Sequence, residues 1–246
     1  MKCCRYLMML VMLLPLTLLQ AAQPLRVGLH LSAPWSFFNA QGEPDGYEYR
    51  LVSRIFAEAG YQVQYEFHSY SRLLKQFADK KLDCASPVAI PVAGASYTES
   101  YLPFQDVAIS RQDAGLTVNS LHDLRDKRIA AYQQAQQVLG ADFAQAVSTA
   151  AYLELAEREL QLELLFSDRV QLVVGEQRVL LYLAAKLAPH ISLTIHPIFA
   201  AKSYPAACWQ PEHTAAFNRG LAQLAQNGAL TAILQWPAPA ATVGTK

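Results

Sequence analysis

Residues 25–67, LRVGLHLSAPWSFFNAQGEPDGYEYRLVSRIFAEAGYQVQYEF, decide how the rest of the chain is read. Leu25, Val27 and Leu29 alternate with Arg26, Gly28 and His30, which predicts a strand with one apolar face. Pro34 interrupts it, and Trp35, Phe37 and Phe38 follow on the loop before the turn-rich run Asn39–Gly46. Aromatic side chains at the carboxyl end of a strand suit the wall of a ligand site. Leu51, Val52, Ile55, Phe56 and Ala59 then fall on one helical face, Gly60 is placed to cap that helix, and Val63, Tyr65 and Phe67 alternate as a second strand. The unit is strand, aromatic loop, helix, strand.

Outside this unit, composition sets the class. The chain has 246 residues, 52% of them hydrophobic and 16% charged, enough for one large or two modest globular domains. Two positive charges, Lys2 and Arg5, precede an apolar run from Tyr6 to Leu19, and Gln20-Ala21-Ala22-Gln23 offers small residues for cleavage. Residues 1–22 therefore read as a secretory signal, since the run is broken by Pro15 and is shorter than the roughly 20 apolar residues of a membrane span. Cys3 and Cys4 precede the apolar run, so lipid anchoring is not expected. Removal of the signal leaves 18 of the 20 basic residues against 20 acidic ones, a net charge of −2 with no electrostatic footprint for nucleic acid. No G-x-S-x-G, H-E-x-x-H, P-loop or paired-cysteine motif occurs, and the six histidines are scattered, so neither an enzyme nor a metal site is expected, and no cofactor.

Several short motifs occur in a consistent order. They are Pro34-Trp35-Ser36-Phe37, then Gly42, then Gly46-Tyr47-Glu48-Tyr49-Arg50-Leu51; Leu82-Asp83; Tyr97-Thr98-Glu99-Ser100-Tyr101; Ser120 to Ile129; Ser167 to Glu176; and Phe217-Asn218 to Leu224 with Gly228. Together they resemble the bacterial extracellular solute-binding proteins of the polar amino-acid type, family 3, across about Leu25 to Trp236. The resemblance implies an α/β fold of two lobes, the type II periplasmic binding architecture, each lobe a mixed sheet flanked by helices. Lobe 1 is expected over residues 23–109 and 200–236, lobe 2 over 110–199, and a flexible tail over 237–246. It also makes the strands of Cys84 and Cys208 neighbours in lobe 1, a disulfide candidate in an oxidising periplasm, with two buried free thiols as the alternative.

The same resemblance implies a ligand held between the lobes. Trp35 and Phe37 are expected to form an apolar wall, with Ser86 and Tyr101 bonding from lobe 1 and Gln134, Gln136 and Glu176 approaching from lobe 2. Glu176 stands where the family's aspartate receives an α-ammonium. Two family features are missing. The arginine that clamps the ligand carboxylate just before the Tyr97–Tyr101 box is absent, since Ile90 to Ser96 contains none. The Gly-Ser or Gly-Thr turn at a second-lobe helix N-terminus is replaced by Gln133-Gln134-Ala135-Gln136. A cleft without its carboxylate-gripping cation is expected. Tyr152 to Phe166 reads as one packing helix carrying no chemistry. The implied protein is a periplasmic monomer that captures a small polar solute for an ABC permease. A membrane sensor of the same fold is the alternative, and a cyclohexadienyl dehydratase-like enzyme a more remote one.

Overall fold

The computed structural model describes residues 23–235; the signal read at 1–22 and the tail at 237–246 lie outside the described residues. Two five-stranded sheets, each covered by helices, form two lobes. The first is built from β1 (Leu25–His30), the small ladder of β2 (Phe37–Phe38) with β3 (Pro44–Asp45), α1 (Tyr47–Glu58), β4 (Val63–His68), α2 (Tyr70–Ala78), β5 (Cys84–Ser86) and β6 (Ser96–Tyr97). The chain crosses along β7 (Leu102–Phe104). It then builds the second lobe from β8 (Asp106–Arg111), β9 (Arg128–Tyr132), α3 (Ala135–Leu139), α4 (Ala141–Ala146), β10 (Ala151–Leu155), α5 (Arg158–Phe166), β11 (Leu172–Glu176), α6 (Gln177–Leu187) and β12 (Leu193–His196). It returns along β13 (Lys202–Tyr204) and completes lobe 1 with β14 (Ala207–Cys208), α7 (Pro211–Gln226) and α8 (Ala229–Leu234).

The sheet orders are β4-β1-β5-β14-β6 and β10-β9-β11-β8-β12. Parallel strands β4, β1 and β5 continue into antiparallel β14 in the first; parallel β10, β9 and β11 continue into antiparallel β8 in the second. The two crossings, β7 and β13, pair antiparallel with Leu102 opposite Tyr204. On α1 the expected apolar stripe is buried: Leu51, Val52, Ile55 and Phe56 join Phe217, Leu221 and Leu224 of α7 in one core.

Two expectations change. Tyr152–Phe166 is not one helix: Ala151–Leu155 forms β10, pairing in parallel with β9 from Ala151 opposite Arg128 to Leu155 opposite Tyr132, and helix begins only at Arg158. The edge of the second sheet supplies hydrogen-bond partners that local helix propensity does not foresee. The change of lobe falls at Gln105, not after 109, because Val107, Ala108 and Ile109 are buried inside the second sheet between β11 and β12.

The start of α1 matters for the site. The Tyr47 and Glu48 N–H groups donate to the carbonyls of Pro34 (3.1 Å) and Trp35 (2.8 Å), so the aromatic loop and the first helical turn are held as one piece. This close approach runs past Gly46, whose φ of 119° favours glycine and where a Cβ would collide with the Trp35 carbonyl oxygen. Gly46→Ala is therefore expected to lower unfolding free energy by about 1–3 kcal/mol, measured by denaturant titration. Cys84 and Cys208 are disulfide-bonded across β5 and β14, joining segments 124 residues apart. A loop that long makes the constraint on the unfolded chain large, so the Cys84→Ala/Cys208→Ala pair is expected to cost roughly 3–5 kcal/mol, with reduction having the same sign.

Candidate ligand-binding cleft

The gap between the lobes holds a small chamber of about 50 Å³, opening on a larger outer trough of about 790 Å³ that shares His30, Ser32 and Arg158 with it. Its walls are the carboxyl ends of strands. His30 ends β1, Tyr132 ends β9 and Glu176 ends β11, which is where ligands sit in open α/β sheets. Trp35 and Glu48 come from the aromatic loop and the first turn of α1, Arg158 from the first residue of α5, and Phe104 and Tyr204 from the crossing strands.

Glu176 ties the lobes together. One carboxylate oxygen accepts from the Val179 N–H of its own helix (2.9 Å) and from the Trp35 indole N–H of the opposite lobe (3.0 Å). Beside it Arg178 lies over the Trp35 and Tyr47 rings, 5.4 and 5.1 Å from their centroids, and donates to the Leu234 carbonyl of lobe 1 (3.2 Å). Phe37 meets Tyr182 across the outer trough, with 6.2 Å between ring centroids.

The chamber is rich in buried acids. Asp106 stands opposite Glu176 on the neighbouring strand; burial, reinforced by the Glu176 charge and opposed by Arg158, pushes its carboxyl up to about 7. Burial also raises Glu176, against the Trp35 hydrogen bond, and raises Glu48 to about 7, against the hydroxyls of Ser86 and Ser36. His30 is pushed the other way, down to about 3, by burial and by the Arg158 charge, and is a neutral imidazole at pH 7. The Arg158 guanidinium lies over the Tyr132 ring at 4.8 Å. Four buried polar atoms on the chamber wall make no hydrogen bond among the described residues: Glu48 Oε1, Tyr132 Oη, Arg158 Nη1 and Tyr204 Oη. Buried polar groups are ordinarily satisfied, so four unpaired ones on one cavity, drawn from both lobes and a crossing strand, set this chamber apart.

Of the residues singled out in the sequence, Trp35 and Glu176 line the chamber, and Phe37 lines only the outer trough. Ser86 and Tyr101 are bonded to each other within lobe 1, with the Tyr101 ring packed on Phe217 at 4.9 Å, and neither lines the chamber. Gln134 and Gln136 do not line it either. Their backbone N–H groups, the expected anion cradle, are taken by the Glu154 carboxylate of β10 at 2.7 and 3.0 Å, and the Tyr152 hydroxyl donates to the same group at 2.7 Å. A carboxylate of the chain itself fills that position.

The expectation of a cleft without a cation is overturned by Arg158, which reaches the chamber from the second lobe. Helical periodicity over Tyr152–Phe166 hides it in the sequence; with the break at Ala156-Glu157, Arg158 stands just past a strand's carboxyl end, where ligand groups gather. Glu48 and Asp106 carry no comparable local signal: each becomes a site residue only when the lobes face each other.

No curated protein sequence matches the chain. Among solved structures, a histidine kinase sensor domain with similarity to periplasmic binding proteins is 20% identical, with a TM-score of 0.77 over 86% of this chain and 94% of that one. An amino acid ABC transporter substrate-binding protein, AbpA from Streptococcus pneumoniae, bound to L-arginine, is 20% identical with a TM-score of 0.73, covering 86% and 93% of the two chains. The ancestral amino acid-binding protein AncCDT-1, a precursor of cyclohexadienyl dehydratase, is 17% identical with a TM-score of 0.72, again over 86% and 93%. At these identities the likeness is one of fold. The model of the bacterial extracellular solute-binding proteins, family 3, matches residues 25–236, and the chain belongs to that family.

Proposed function

We propose that this protein captures a small amino-acid-like solute in the periplasm by closing its two lobes on it. The observation that carries this reading is the set of unpaired polar atoms, Glu48 Oε1, Tyr132 Oη, Arg158 Nη1 and Tyr204 Oη, drawn from both lobes and a crossing strand around one chamber. A ligand touching both lobes favours the closed arrangement by its differential affinity for it. Arg158 is the carboxylate partner, replacing the absent first-lobe arginine, and Asp106 with Glu176 receives the ammonium. Trp35 orients Glu176 while covering the chamber from the first lobe.

Two outputs fit such a cleft. Delivery to an ABC permease is supported by the likeness to the arginine-bound transporter protein, and signalling to a membrane partner by the likeness to the histidine kinase sensor domain. A permease gene beside this one separates the first from the second. Arg158 also gives a third reading more weight than the sequence did. A carboxyl that burial makes harder to ionise, Asp106 or Glu176, stands in one chamber with a guanidinium, the pairing of acid and carboxylate partner that an elimination on a small hydroxy acid would need. Turnover of candidate cyclic acids followed by NMR distinguishes that reading; conversion would displace the binding-only function.

A thermal-shift screen of amino acids on the mature chain tests the principal reading, since a ligand at a hundred times its dissociation constant adds about 2.7 kcal/mol of stability. In Arg158→Gln the shift from the best ligand is expected to fall by the equivalent of roughly 10- to 100-fold in affinity, as loss of a charge-assisted bond worth about 1.5–3 kcal/mol requires. An unchanged shift would remove Arg158 from the site.

The raised carboxyls set a pH dependence. Their folded values lie above their unfolded ones, so the unliganded protein loses the stability they contribute as pH rises from about 4 towards and beyond about 7. His30, held low, works in the opposite sense between about 3 and 6.5, so comparison with a variant isolates the acid. Glu48→Gln melting relative to the parent is expected to become progressively more favourable between pH 5 and pH 8; a flat or inverted difference would mean that Glu48 titrates normally.

A further inference from the structure

Of the three acids at the chamber wall, Glu176 has Arg178 beside it and Asp106 feels Arg158 and Lys202, whereas no cation among the described residues acts on Glu48. Glu48, Asp106 and Glu176 are all buried at its wall, and none of them takes part in an ion pair among the described residues. Arg158 is the one lysine or arginine lining it among those residues. The acids fall into two poles on opposing walls. Glu48 projects from lobe 1 with Oε1 unbonded and its other oxygen on Ser36 at 3.2 Å, while Asp106 and Glu176 stand side by side on paired strands of lobe 2. A buried carboxylate without a cation is costly, and the cost is removed by protonation or by an incoming positive charge.

Resting on the reading of this chamber as a solute site, we propose that it selects a short cationic amino acid: one carboxylate for Arg158, an α-ammonium for the Asp106–Glu176 pole, and a second cationic nitrogen for Glu48. A neutral amino acid answers only one pole and leaves Glu48 Oε1 without a partner. An acidic one sets its side-chain carboxylate against Glu48 when the single guanidinium is already taken by its α-carboxylate. The small chamber limits the length between the two nitrogens, and the outer trough, reached past His30 and Arg158, is where a longer side chain would have to go. With Glu48 on one lobe and the acid pair on the other, a dication draws both walls inward.

Isothermal titration of the mature full-length chain at pH 7.5 tests this with 2,4-diaminobutyrate and ornithine against norvaline, glutamine and glutamate. The diamino acids are expected to bind at least 10-fold more tightly than norvaline or glutamine, and glutamate most weakly. Glu48→Gln is expected to abolish the preference, so that the diamino acids bind no more tightly than norvaline or glutamine. Asp106→Asn, which touches the other pole, is expected to weaken diamino and neutral amino acids alike and supplies the test if the first variant does not fold. Equal or tighter binding of norvaline, glutamine or glutamate by the parent would overturn the charge selection but leave the site standing. If no amino acid binds, the solute-site reading and this inference fall together.

Discussion

The burial of Glu176 is the constraint on which the arrangement depends. A carboxyl at the end of a central strand is taken out of water, and it is tolerated there because the first turn of the next helix and the Trp35 indole of the opposite lobe donate to it. That one group caps α6, anchors the aromatic loop and spans the cleft. Placing Asp106 beside it on the paired strand adds a second acid that burial and like charge keep reluctant to ionise.

Around this point the fold supplies two rigid walls and a narrow connection. Each sheet ends its parallel strands toward the gap, and the lobes are joined by the paired crossings β7 and β13, with Gln105 as the single residue between β7 and the second sheet. The disulfide between β5 and β14 fastens the returning segment into the first sheet, so the discontinuous lobe holds together although its parts are remote in sequence. The crossings join the two walls, and Phe104 and Tyr204 on them also line the chamber.

Two anion-binding devices that the family resemblance implied are spent or displaced. The backbone N–H groups of Gln134 and Gln136 are satisfied by Glu154, an internal carboxylate where a ligand's was expected. The guanidinium on the chamber wall belongs to the second lobe, at the start of α5, and has an unbonded Nη1. Ile90–Ser96 holds no cation and Arg158 lies outside every family motif, so motif matching at that stretch alone points to a cleft without a cation.

What the amino-acid sequence determined by itself is what local periodicity encodes: the strand at Leu25–His30, the apolar stripe of α1, the breaks at Pro34 and Gly46, and the order of motifs that names the family. These depend on neighbours within a few residues, so they can be read one stretch at a time. Tertiary structure alone decided that Ala151–Leu155 is a strand, because an edge position requires a partner sheet to exist first. It also decided the site. Glu48, Asp106, Arg158 and Glu176 lie far apart along the chain, and only the facing of two separate sheets brings them to one desolvated space, where the charges of Glu176 and Arg158 bear on Asp106.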